Sequence, residues 1–146
     1  MPPLNHAVLS ASSAYRWLEC PPSALATADI PDETTIYAQE GSAAHEMAEY
    51  KIRWHLGEKD LAPPNIGNFH AEEIDRYTDS YAYYATDKIE TIRKICPDAI
   101  VMVEQRLDFS NYVKDGFGTG DLVIVADDVM QVIDFKYGKG VTVSAE

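Results

Sequence analysis

Gly118-Thr119-Gly120-Asp121-Leu122-Val123-Ile124-Val125-Ala126-Asp127-Asp128-Val129-Met130-Gln131-Val132-Ile133-Asp134-Phe135-Lys136 holds two apolar, β-branched runs interrupted only by Asp127-Asp128. That is the pattern of two strands joined by a tight turn. With Asp127-Asp128 as the turn, Ala126 faces Val129, each step outward pairs positions of constant sum, and Asp121 faces Asp134. Side chains alternate across a strand, so Asp121, Val123, Val125, Met130, Val132, Asp134 and Lys136 share one face. Leu122, Ile124, Ala126, Val129, Gln131, Ile133 and Phe135 share the other. Both faces are mainly apolar, which predicts a hairpin inside a larger sheet covered by helices, with the two carboxylates and the lysine partly buried at its open end.

Two carboxylates roughly 5 Å apart in an effective dielectric of about 20 repel by on the order of 3 kcal/mol, a large share of a domain's stability. A divalent cation is the natural counterweight, because hard oxygen ligands suit Mg²⁺ or Mn²⁺. A shared proton, or Lys136 alone, is the alternative.

Working outward, Ala99–Leu107 reads as a strand, and a loop bearing Gly and Asn from Ser110 to Gly120 connects it to the hairpin. Upstream lie helical patterns: a short one within Leu9–Leu18 with a serine cap, stopped by Cys20-Pro21-Pro22; one from Thr35 to Leu56, stopped at Gly57; and one from Ala71 to Ile95, followed by Pro97. Lys59–Asn68, with Pro63-Pro64 and Gly67, is a surface connection. The last helix carries Ile74, Tyr77, Tyr81, Tyr84, Ile89 and Ile92, a stripe read as core packing with polar tips reaching water. Helices first and strands after give an α/β domain in α+β order, an antiparallel three-stranded meander flanked by helices. After Lys136, Tyr137-Gly138-Lys139-Gly140-Val141 announces a new turn, and the sequence stops at Glu146 with no further helix to cover the last strand.

The 146 residues have the composition of one globular domain. The start, MPPLNHAVLSASSAYRWLEC, lacks the features of a secretion signal, no stretch is long and apolar enough to span a membrane, and a cytoplasmic location is expected. Cys20 and Cys96 are too few for a disulfide framework or a cysteine-only metal site, and two free thiols are expected. The formal charge is −12, and residues 1–59, 60–100 and 101–146 each carry eight acids and four bases. No basic block is available to neutralise a polyphosphate, so any nucleic-acid contact needs a locally assembled groove, bound cations or a partner.

Gly41-x-x-x-His45, Gly120-Asp121 and Asp134-Phe135-Lys136, with the opening Leu9-Ser10-x-Ser12 through Cys20-Pro21, together resemble the RecB-like branch of the PD-(D/E)xK nuclease superfamily, and especially a bacteriophage-borne group within it. The resemblance spans nearly the whole chain. It implies a restriction-endonuclease-like core over residues 1–146 and a metal-dependent DNA nuclease, an exonuclease or end-processing enzyme of phage recombination or replication acting in the bacterial host cell. It also implies that His45, Asp121, Asp134 and the backbone carbonyl of Phe135 hold Mg²⁺ or Mn²⁺. Lys136 would orient the attacking water and offset charge developing on the phosphate. Glu49, one helical turn from His45, could support it from behind; Glu104, on the preceding strand, could join the acidic cluster or support it from behind; Tyr137 and Lys139 could touch DNA.

The chain departs from that branch by ending before the helix that bears a Gln-x-x-x-Tyr motif beside the site. The rival expectation is therefore a catalytically inactive nuclease-fold module that binds a protein partner or a DNA end. A second copy or another recombination protein could also supply the missing helix. Some relatives hold an iron–sulfur cluster through one early and three late cysteines; with Cys20 alone, no cluster is expected and a buried structural thiol is the better reading. A nucleotide phosphohydrolase would need a Gly-rich phosphate cradle, which is not visible.

Overall fold

The computed structural model describes residues 7–10, 13–27, 30 and 35–138. Ser12 of the opening motif, Lys139 and the Gly140-Val141 turn lie outside the described residues. The elements are α1 (Ala14–Glu19), α2 (Pro22–Ala26), α3 (Ile36–His55), α4 (Ala71–Ile95), β1 (Ile100–Asp108), β2 (Phe117–Ala126) and β3 (Val129–Ile133). The protein is α+β, with an antiparallel sheet in the order β1-β2-β3 flanked by helices. It divides into two compact units, Met1–Glu33 with Gln105–Gly120, and Thr34–Glu104 with Asp121–Glu146.

In the first unit the helices are short. Trp17 Nε1 donates to the Ser10 carbonyl at 2.9 Å and so ties α1 to the segment before it. The hydroxyl of Ser13, the residue before α1, is turned back to Ser10 Oγ at 2.8 Å and does not cap the helix. Cys20, between α1 and α2, is exposed. This corrects the expected buried thiol: two helices of six and five residues offer too little surface to enclose it. Between β1 and β2, Phe109 N–H donates to the Gly116 carbonyl at 3.0 Å, closing a loop too tight for any side chain at Gly116. A Cβ there would lie 2.7 Å from both the Phe109 ring and the Val113 carbonyl. β2 already begins at Phe117, so the expected loop to Gly120 is four residues shorter.

The second unit carries the main core. The Thr35 hydroxyl accepts the Ala38 N–H and starts α3. Gly57, at φ +108, stops it. In α4, Glu72 and Glu73 sit in the first turn and Arg93 and Lys94 in the last, each sign matching the helix dipole. The buried stripe of α4 is Ile74, Thr78, Ala82, Ala85 and Ile89. Tyr77 and Tyr84 are exposed, so the expected tyrosine core holds only for the partly buried Tyr81. Small residues take the buried stripe instead: Ala44 and Ala48 of α3 and Ala82 and Ala85 of α4 are buried, and Tyr81 packs against both groups. Lys51 of α3 reaches across to α4, donating to the Asp75 carbonyl at 2.9 Å and to Asp75 and Asp79 carboxylates at 2.6 and 2.5 Å.

The hairpin has the register read from the sequence, Ala126↔Val129 through Leu122↔Ile133. Leu122 and Ile124 pack with Ile52, Ala82, Ala85, Ile89 and Val103. A second cluster joins Ala44, Ala48, Ile74 and Phe135. The expectation of burial on both faces is corrected for β3, which among the described residues is an edge strand with Met130 and Val132 exposed. Among the described residues no helix is long and apolar enough to cross a membrane.

Candidate metal centre

Three elements of the second unit converge where β2 enters it. His45 lies in the third turn of α3, and its Nδ1 is 3.6 Å from Asp121 Oδ2. The imidazole is held edge-on against the Phe135 ring, with centroids 5.2 Å apart at 63°. Asp121 Oδ2 also accepts the Phe135 N–H at 2.6 Å, so the carboxylate binds the backbone that follows β3. Register carries the hairpin to Leu122↔Ile133, and one step further the carboxylate of Asp121 takes over from the backbone ladder.

Glu104 completes the group. His45, Glu104 and Asp121 each offer a ligand atom within 4.8 Å of the others. Glu104 has φ +49, a left-handed backbone inside β1 that non-glycine residues rarely adopt and that typically costs on the order of 1–3 kcal/mol. Such a residue breaks the alternation of a strand and re-aims side chains. The sequence offered Glu104 either as a member of the acidic cluster or as a support behind it; the structure sets its carboxylate in the group with His45 and Asp121, and nothing in the residue type signals the left-handed backbone.

The electrostatics are those of a site with surplus negative charge. The hydrogen bond to Asp121 raises the pKa of His45 against the opposing effect of burial. For Asp121, burial pushes the pKa up, but His45 and the Phe135 N–H outweigh it and leave the carboxyl below its ordinary value. Burial and then the Asp121 charge push Glu104 up, only partly countered by His45 and Arg53. Tyr81 of α4 stacks on Phe135 at 4.7 Å, and its hydroxyl is buried with no partner among the described residues. Burial and the charges of Asp121, Glu104 and Asp134 raise its pKa further.

The other expected residues are arranged differently. Asp134 is 53% exposed, against 12% for Asp121, and pairs with the exposed Lys136 at 2.7 Å, outside the three-residue group. The partial burial expected for Asp134 and Lys136 is thus corrected, because β3 has open solvent on that face. Phe135 meets the site through its N–H and its ring. Glu49 is turned to Arg53 Nε at 2.7 Å, and Arg53 in turn donates to the Val103 carbonyl at 3.0 Å. Glu49 therefore braces β1 through Arg53, and its hydrogen-bond partner is not His45.

One imidazole nitrogen and two carboxylates suit Mn²⁺ or Mg²⁺ by donor type. Two ligand atoms each ~2.1 Å from one ion lie at most ~4.2 Å apart. A group already within 4.8 Å needs only a small contraction.

Fold and site together define an α+β protein with a helix-flanked, three-stranded antiparallel sheet and a His-Glu-Asp group whose two carboxylates come from the middle of β1 and β2. Residues 6–146 match the family described as "Protein of unknown function (DUF2800)", and the chain belongs to that family. No solved structure matches it.

Proposed function

We propose that this chain is a divalent-metal-dependent DNA nuclease of the PD-(D/E)xK type, hydrolysing phosphodiester bonds. The observation that carries the reading is the convergence of His45, Glu104 and Asp121 ligand atoms within 4.8 Å. His45, Glu104 and Asp121 would hold Mg²⁺ or Mn²⁺, with Phe135 fixing Asp121 and orienting the His45 ring. A bound ion supplies Lewis acidity toward the phosphoryl oxygen and acidifies water. Lys136, exposed at the border of the site, meets the phosphate and offsets the charge that builds on it as the water oxygen bonds to phosphorus and the ester P–O bond breaks. The products are a phosphate monoester and a free hydroxyl.

Manganese-dependent cleavage of DNA that disappears in Asp121→Asn and in Lys136→Met supports the reading. Cleavage that persists in Asp121→Asn removes it. One observation favours a second reading, an inactive nuclease-fold module: Asp134 and Lys136 are paired with each other. Saturable Mn²⁺ binding without turnover of single- or double-stranded DNA would select that module.

A further inference from the structure

The first two turns of α3 and of α4 border a cleft of about 360 Å³, with the segment after β3 along its other side. That volume is at the lower end of the ~300–1,000 Å³ typical of small-ligand pockets, suited to one compact group. Tyr37, Tyr77 and Tyr137 line it, with Glu40, Glu73 and Lys136. Tyr77 and Tyr137 meet edge to face at 6.0 Å and 75°. Core packing does not account for Tyr37, 76% exposed, or Tyr77, 46% exposed; Tyr137 is partly buried against the Phe135 cluster and anchors the wall from that side.

The cleft and the metal centre lie along the same two helices. Tyr37, Gly41 and His45 recur every four residues along α3, as Glu73, Tyr77 and Tyr81 do along α4, so each helix leads from the cleft to the site within two turns. A Cβ at Gly41 would meet nothing within 4 Å among the described residues, so the surface of α3 between Tyr37 and His45 is uncrowded there. Phe135 touches His45 and Tyr81, and the ring of Tyr137 lies 6.4 Å from it.

We infer that this cleft binds a single unpaired base of the DNA strand whose backbone reaches the metal centre, an inference that rests on the nuclease reading above. Exposed tyrosine rings offer stacking surface that any base can use. Glu40 and Glu73 accept hydrogen bonds from the amino groups on base edges and repel phosphate, so the base enters while its phosphate stays at the border with Lys136. Paired bases, stacked within a duplex, cannot enter. Stacking also gives a chain of charge −12 a means of holding DNA that does not depend on a basic surface.

The test is fluorescence anisotropy of a labelled single-stranded oligonucleotide in Ca²⁺, with the strand recovered intact, beside Mn²⁺ calorimetry on the same proteins. Tyr77→Leu and Tyr37→Leu should each weaken oligonucleotide binding by roughly 5- to 150-fold, the range of base–aromatic stacking, and leave Mn²⁺ binding unchanged. A strand with abasic positions should lose comparably, and a blunt duplex should bind more weakly than the single strand. Tyr37 is so exposed that its replacement should leave the melting temperature unchanged, which keeps the result independent of folding. Parent-like DNA binding by both variants, or equal binding of the duplex, overturns the base site while Mn²⁺ binding leaves the metal centre standing. A parent chain that binds neither Mn²⁺ nor the oligonucleotide overturns both.

Discussion

Replacing Glu104 by Gln should make the metal-free protein more stable and the metal-loaded protein less so. Glu104 and Asp121 carry ligand oxygens within 4.8 Å of one another. At an effective dielectric of about 20, two like charges at that separation repel by about 3.5 kcal/mol. His45 and Arg53 return part of this, as the direction of their effect on Glu104 requires, so the net relief should be about 1–2 kcal/mol. Glutamine keeps the length of the side chain and leaves the left-handed backbone at residue 104 as it is. In a chain of 146 residues this corresponds to a rise in melting temperature of roughly 3–6 °C in EDTA at pH 8. In Mn²⁺ at a hundred times its Kd, the parent should gain about 2.7 kcal/mol, and the variant much less because it has lost a ligand. Thermal melts of both proteins, with EDTA and with Mn²⁺, give all four values. A variant that melts lower than the parent in EDTA and keeps the full Mn²⁺ shift would refute both the crowding of charge and its purpose.

Tyr81→Phe removes the buried, unpartnered hydroxyl and preserves the stack on Phe135, so urea unfolding of the metal-free protein should show unchanged or higher stability, by up to ~1–2 kcal/mol; a clear loss would mean that the hydroxyl has a partner. Ile52→Ala opens a cavity among Ala82, Ala85, Ile89 and Leu122 and should cost about 2–5 kcal/mol in the same assay. The metal-free protein should also lose stability at both ends of the pH scale. His45 titrates above its ordinary 6.5, so its contribution is complete below 6.5 and fades as pH rises through the folded value, and Glu104, raised from 4.5, adds to the loss in the same direction. Asp121 titrates below its ordinary 3.8, so its contribution is complete above 3.8 and fades as pH falls through the folded value. Calorimetric melts across pH 3–9 on the parent and on His45→Gln should differ most at mildly acidic pH, where His45 is charged and Asp121 ionised; a constant difference would exclude the pair.

The hairpin was legible because its information is local. Two β-branched runs and an Asp-Asp turn admit one register in which both strands keep their apolar alternation, and Ala126↔Val129 fixes the rest. The helices were legible from caps and stops: α4 occupies Ala71–Ile95 as read, and α3 differs by one residue at each end. The alternation rule also pointed to Asp121, whereas Asp134 lies past the end of β3, exposed and paired with Lys136. Beyond Ile133 the chain leaves the ladder, and the Phe135 N–H turns to Asp121. Glu104 was left open between joining the acidic cluster and supporting it, because a left-handed glutamate inside a strand leaves no trace in composition or period. Which ring of α4 is buried depended on the alanines of α3 that face it, a tertiary fact beyond the reach of a single helical stripe. Exposure of Met130 and Val132 followed from β3 being an edge strand among the described residues, which the sequence of a meander does not decide.

Mn²⁺ titration by isothermal calorimetry, on the parent chain and on Asp121→Ala, tests the metal centre most directly because it needs neither substrate nor turnover. Saturable binding in the parent that vanishes in Asp121→Ala is the expected result. No binding by the parent, or binding that survives in Asp121→Ala, would mean that His45, Glu104 and Asp121 meet for a reason other than a cation.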